Sequence, residues 1–162
     1  MLSLESLKQI DVELAKYPAE RRRSAIMSAL RIAQTELGWL STDTIAYVAD
    51  YVKIPATQAM EVATFYGMYN LKPVGKYVFE VCQTGPCMIS GSDSIIDYTK
   101  QVLSIQPGET TKDGLFTLKL VECLGACGYA PMMQVGKIYK EHLTKEKVDA
   151  IIAEYRQAAN KN

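Results

Sequence analysis

Histidine is almost missing from this sequence: His142 is the only one in 162 residues. A Rieske-type centre needs two histidines on one iron and is excluded on that count. No nucleophile–base pair is legible around His142 either. At the end of an expected strand, it reads as a surface or packing residue and not as a ligand. Net charge is missing too, because Lys+Arg and Asp+Glu both number 18. A general nucleic-acid binder carries a basic excess, so that class is set aside, while a protein partner is not. There is no run of about 18 apolar residues, so no membrane insertion is expected. Met1-Leu2-Ser3-Leu4-Glu5 lacks the basic-then-apolar pattern of a secretory signal, and an Arg-rich transit peptide is absent. The expected location is cytoplasmic, where thiols stay reduced and structural disulfides are not expected.

What is present is a hydrophobic fraction of 48% with a charged fraction of 22%. That suffices for a buried core in one domain, or in one domain with a helical extension. The first 75 residues show helical spacing. Leu4, Leu7, Ile10 and Leu14 recur on one face, with Ser3 as N-cap and Pro18 as the stop. A second helix is expected from Ala19, with Ile26, Leu30, Ala33 and Leu37 as its stripe and Gly38 past its end. The run Arg21-Arg22-Arg23 reads as a solvated first turn, or as a contact for an acidic partner surface. A third helix is expected over 42–52. A fourth is expected over 56–69, started by Pro55. Lys72-Pro73-Val74-Gly75 then reads as a linker. Nothing in this half has the spacing of a ligand set, and its methionines and tyrosines read as packing.

From residue 76 the pattern changes. Lys76–Val81 is β-rich and runs straight into Cys82. Ser90-Gly91-Ser92 can cap a helix carrying Ile95, Ile96, Val102 and Leu103. Pro107-Gly108 is a turn, and 115–121 reads as a second strand ending near Cys123. The segments 132–135 and 138–142 read as a hairpin about Gly136-Lys137. Thr144 caps a last helix with Val148, Ile151, Ile152 and Tyr155. Strand, helix, strand, strand, strand, helix is a thioredoxin-like order. Both cysteine segments would then leave the C-terminal ends of neighbouring strands, where open α/β sheets place ligands.

All 4 cysteines lie in two short segments, Cys82-Gln-Thr-Gly-Pro-Cys87 and Cys123-Leu-Gly-Ala-Cys127. Four thiolates can hold a [2Fe–2S] cluster, with Cys82 and Cys87 on one iron and Cys123 and Cys127 on the other. Gly85, Gly125 and Gly128 let the backbone approach and turn N–H groups to sulfur. The same four thiols also suit an all-cysteine zinc site, since both gaps fit zinc knuckles. Thiol–disulfide chemistry fits less well, because neither segment is Cys-x-x-Cys. Spacing alone leaves these readings open.

Asp113-Gly-Leu-Phe-Thr117, then Cys123-Leu-Gly-Ala-Cys127, then Ala130-Pro131 resembles the signature of the peripheral [2Fe–2S] subunit of respiratory NADH:quinone oxidoreductase. This is the E-subunit family of complex I. Glu61-Val-Ala-Thr-Phe-Tyr66 and the Cys82–Cys87 segment resemble it too. The resemblance implies an α+β fold: an N-terminal helical bundle over 1–75, followed by a thioredoxin-like α/β [2Fe-2S] ferredoxin domain over 76–162. It implies one [2Fe-2S] cluster on Cys82, Cys87, Cys123 and Cys127, and no catalytic acid, base or nucleophile on this chain. It implies docking to a flavin/NADH-binding F subunit that holds FMN and the NADH site, and it leaves room for contact with the large iron–sulfur subunit. The implied location is peripheral, on the cytoplasmic side of a bacterial inner membrane. Related chains serve NAD-linked hydrogenases and formate dehydrogenases as diaphorase subunits, and that setting is an alternative, as is a zinc-stapled assembly module.

Overall fold

Ser3 starts the first helix. Its hydroxyl accepts the Ser6 N–H at 3.2 Å, one of the donors a helix start leaves unpaired. Helix α1 (Leu4–Leu14) buries Ile10 and Leu14. A 3-10 segment over Ala19–Ala25 precedes α2 (Ile26–Leu37), so the single helix expected from Ala19 is in fact broken. Arg21 departs from helical geometry at φ −113°, ψ 21°. The side chain of Arg22 gives the reason, since its Nε donates to Val52 O at 2.9 Å. Arg22 is thus tethered and not simply solvated. Arg23 does stay on the surface, 3.8 Å from Glu61, in an exposed pair that contributes little.

Ser41 caps α3 (Thr42–Val52) in the same way as Ser3, accepting the Thr44 N–H at 3.1 Å. Helix α4 (Ala56–Phe65) ends four residues before the expected Tyr69, because Tyr66 turns extended at φ −90°, ψ 115°. The Gln34 side chain supplies the hydrogen bonds that the lost turn would have made. Its Nε2 donates to Met68 O at 2.9 Å and its Oε1 accepts the Asn70 N–H at 2.6 Å. This break lets Tyr69 drop into the core, where its hydroxyl donates to Met27 O at 2.8 Å. Burial pushes the Tyr69 hydroxyl up to about 12. Ile10, Leu30, Leu40, Ile45, Val48 and Val52 fill the centre. Leu37, expected on the buried stripe, is 40% exposed at the end of α2.

The computed structural model describes residues 1–161 and gathers them in two units, Met1–Pro73 and the remainder from Val74. The second unit holds a four-stranded sheet in the order β2-β1-β3-β4. Strands β1 (Tyr77–Cys82) and β2 (Phe116–Val121) run parallel. Strand β3 (Met133–Val135) joins β1 antiparallel, and β4 (Ile138–Lys140) joins β3 through the expected tight turn. Strand β4 is shorter than expected, because His142 adopts φ 46° beyond its end.

A short helix α5 (Gly85–Ile89) and then α6 (Ser92–Leu103) lie between β1 and β2 in the chain, and α7 (Lys145–Asn160) closes it. The cap of α6 is Gly91 at φ 96°, a conformation that glycine adopts most cheaply. Phe79, Val81, Phe116, Leu118 and Met133 from the sheet pack with Ile95 and Leu103 of α6 and Val148 of α7. Val102, expected in this core, is 38% exposed; Thr99 is buried in its stead, its hydroxyl returned to Ile95 O at 2.7 Å. Among the described residues no helix is long and apolar enough to cross a membrane.

Candidate metal centre

Parallel pairing sets the site. Cys82 is the last residue of β1 and lies level with Val121, the last of β2. Cys123 follows two residues on, so both cysteine segments emerge at the same end of adjacent strands. The Cys82 N–H donates to Met132 O at 3.2 Å, which adds a third segment to this corner.

The segment after Cys82 is not the plain loop that its Gly and Pro suggested. Gly85-Pro86-Cys87-Met88-Ile89 forms one helical turn, with Met88 N–H donating to Thr84 O at 3.0 Å and Ser90 N–H to Pro86 O at 3.1 Å. Proline suits this first turn, since no partner is needed for its nitrogen. The turn points Cys87 inward. Cys82 and Cys87 are 1% and 2% exposed and pack with Met132, Leu124, Ala126 and Ala130. Cys123 and Cys127 are exposed, Cys127 opening a short 3-10 turn over Cys127–Tyr129. Their sulfurs lie 3.9 Å apart. Two thiolates on one tetrahedral metal at ~2.3 Å stand about 3.8 Å apart, so this pair is already spaced for chelation.

Donors converge on these sulfurs. Burial opposes ionisation of Cys82, but the hydroxyl and N–H of Thr84, the Cys87 thiol and the Leu124 N–H outweigh it and hold Cys82 below the ordinary thiol value. Cys87 moves the other way: burial, then its hydrogen bond to Cys82 and that neighbour's charge, push it up to about 11. Cys127 is raised by its bond to Cys123 and that sulfur's charge, and more weakly by Cys82. The Gly125 N–H donates to Cys123 Sγ at 3.3 Å.

Gly125 holds φ +79° with open space where a Cβ would stand. Gly125→Ala therefore strains the backbone without a clash, and the left-handed region costs an L-residue roughly 1–2 kcal/mol. Urea unfolding followed by circular dichroism is expected to show stability lowered by that amount. An unchanged midpoint would mean the loop relaxes into another conformation at no cost.

His142, exposed, is not gathered with the cysteines: its ring meets Tyr129 edge-on at 5.7 Å. A concavity of about 740 Å³ bounded by Leu103, Asp113 and Arg156, among others, contains none of the four cysteines.

The family of thioredoxin-like [2Fe-2S] ferredoxins matches residues 10–156 of this chain. The E subunit of the Rickettsia prowazekii (strain Madrid E) NADH-quinone oxidoreductase is 45% identical over 152 residues, covering 93% of this chain and 86% of its own length. The corresponding subunit of Rickettsia bellii (strain RML369-C) is 49% identical over 144 residues, covering 88% and 86%. This chain belongs to the E-subunit family of NADH-quinone oxidoreductase, whose members are thioredoxin-like [2Fe-2S] ferredoxins. Subunit 2 of the Thermus thermophilus NADH-quinone oxidoreductase is 43% identical over 148 residues, covering 91% of this chain and 82% of that one. The fold also matches part of a NAD+-reducing [NiFe]-hydrogenase in the air-oxidized state, with a TM-score of 0.70 at 20% identity. That match covers 82% of this chain but only 23% of the hydrogenase chain.

The donor set of this E-subunit family chain fits the family's cluster. Its four sulfurs come as two local pairs, the number and kind of ligand that a [2Fe–2S] cluster takes. Two features were not foreseen from the sequence. The Leu124 N–H is among the groups that lower the Cys82 thiol, and the Tyr139 hydroxyl donates to Leu124 O at 2.7 Å. Backbone donors leave no residue-type trace, and Tyr139 lies fifteen positions from its partner.

Proposed function

We propose that Cys82, Cys87, Cys123 and Cys127 ligate one [2Fe–2S] cluster, the buried pair on one iron and the exposed pair on the other. On this reading the chain is an electron-transfer subunit of NADH:quinone oxidoreductase and exchanges single electrons with FMN on the NADH-binding F subunit. The observation that carries it is the arrangement of four thiols as two local pairs at one sheet corner, the exposed pair spaced for chelation, in a chain of this family. When bound, the cluster supplies a one-electron store. The protein's part is to keep two sulfurs dry and to present the N–H groups of Thr84, Leu124 and Gly125 to ligand sulfurs. Those donors, with burial, tune the potential.

Partner docking is supported by apolar side chains beside the ligands. Met88 and Ile89, which follow Cys87, are 51% and 85% exposed, and Tyr129, two residues after Cys127, is 51% exposed. Large apolar side chains left exposed next to the ligand positions support a contact there. The helical residues 1–75 and the ferredoxin residues 76–162 act as two domains, peripheral on the cytoplasmic side of the inner membrane as part of the complex. The large iron–sulfur subunit is a further neighbour in this proposal.

The deciding experiment is iron, sulfide and zinc analysis of the anaerobically purified chain, with visible absorption and EPR after reduction. The expected result is a red-brown protein with one [2Fe–2S] per chain and an S = 1/2 signal. A colourless protein holding zinc, a d¹⁰ ion without charge-transfer bands, overturns the proposal in favour of an assembly module.

A further inference from the structure

Tyr139 sits on β4, outside both cysteine segments, and is 43% exposed. Its hydroxyl donates to Leu124 O at 2.7 Å. The Leu124 carbonyl and the Gly125 N–H are the two ends of one planar peptide group. At the far end of that group, the Gly125 N–H donates to Cys123 Sγ at 3.3 Å. The three groups form one chain, O–H to O=C–N–H to sulfur. A donor on the carbonyl polarises the amide and strengthens its N–H as a donor, so the two hydrogen bonds reinforce each other.

Leu124 packs against the buried cysteines, but the glycine end of this peptide is not held by packing. Gly125 is exposed, stands at φ +79°, and has open space where a Cβ would lie. The phenol of a neighbouring strand supplies an orienting contact that packing does not.

We propose that Tyr139 is a positioning residue that raises the reduction potential of the cluster by orienting the Leu124–Gly125 peptide on Cys123. This rests on the cluster reading given above. Reduction adds one negative charge to the cluster and its thiolates. A fixed N–H dipole aimed at sulfur stabilises the reduced form more than the oxidised one. Without the hydroxyl the peptide is free to turn, and the reduced form loses that preference.

The test is Tyr139→Phe in the full-length, cluster-loaded chain, which keeps the ring and removes only the donor. In a redox titration followed by EPR, the ratio of reduced to oxidised cluster at the wild-type midpoint is expected to fall about tenfold. For a one-electron couple that is a midpoint lower by about 59 mV. The coupling of an exchangeable amide proton to the reduced cluster, read by pulsed EPR before and after transfer to D₂O, should weaken in parallel. Iron content should not change. Tyr139→Leu should reproduce the shift; if it shifts the midpoint and Tyr139→Phe does not, the ring acts and the proposal is wrong. A loaded Tyr139→Phe chain with the wild-type midpoint and coupling overturns the inference alone. A wild-type chain without a cluster overturns the underlying reading instead.

Discussion

Cys87→Ala is expected to abolish cluster binding, giving a colourless chain with iron near background and no EPR signal on reduction. Cys87 is 2% exposed, and the helical turn of α5 aims it into the pocket it shares with Cys82 and Met132. Alanine there leaves one iron a ligand short, and the neutral Thr84 hydroxyl beside Cys82 is a poor substitute for a thiolate. Binding energy is spread over all four thiolates, so removing one costs far more than the 10–100-fold typical of an outer-shell change. Cys127→Ala on the exposed side tests the other pair. There water can approach the open position, and a transient cluster lost within minutes is the expected result. Iron and sulfide analysis together with visible absorption reads both variants, and a stable, fully occupied cluster in either one would sink the ligand set.

Phe79→Ala is expected to destabilise the second unit by about 3–5 kcal/mol, the usual range for a buried aromatic truncated to alanine. Phe79 is fully buried on β1, which lies between β2 and β3 at the centre of the sheet. Its ring packs edge-on to Phe116 at 5.1 Å and reaches Tyr155 of α7 at 6.2 Å. The deletion empties the junction of two strands and a helix. A domain holds about 5–15 kcal/mol in all, so a large share of its stability is removed. The variant should unfold at markedly lower urea and load little cluster, because Cys82 is three residues along the same strand. Urea unfolding of the apoprotein, followed by circular dichroism, measures this directly. A loss under about 1 kcal/mol would show that the core closes over the gap.

Much of this fold could be read from local chemistry. Ser3 and Thr144 each cap a helix where a hydroxyl before an apolar stripe predicts one. The parallel pairing of β1 and β2 followed from a helix intervening between two β-rich segments, and it placed the cysteine segments together. Two of the departures share a cause, contacts made across sequence distance. Helix α4 stops early because Gln34, over thirty residues away, satisfies the next backbone groups. The break at Arg21 belongs with the reach of Arg22 to Val52. The five residues of α5 are too few to show a period, and glycine with proline disguised them as a loop. The cysteines of the candidate centre and the Gly125 N–H on sulfur were named from the sequence, where spacing alone left cluster, zinc and thiol readings open, but the Tyr139 contact was not. Amide N–H groups belong to every residue, and the phenol of Tyr139 is one of 10 tyrosines.

The register of the central strands also bears on how the protein is made. Cys87 and Cys123 are thirty-six positions apart, the difference of their numbers. Between them lie α6 and the whole of β2. A nascent chain that has just exposed Cys87 owns half of a binding site and must synthesise and fold a helix and a strand before it owns the rest. Long-range parallel pairing of this kind forms late, because loop closure must precede it. Iron and sulfide delivered earlier would meet a dithiol able to grip a single metal ion and nothing more. On the proposed ligand set, four thiols are presented together only after β1 and β2 have paired, so readiness for a cluster is itself a mark of folding.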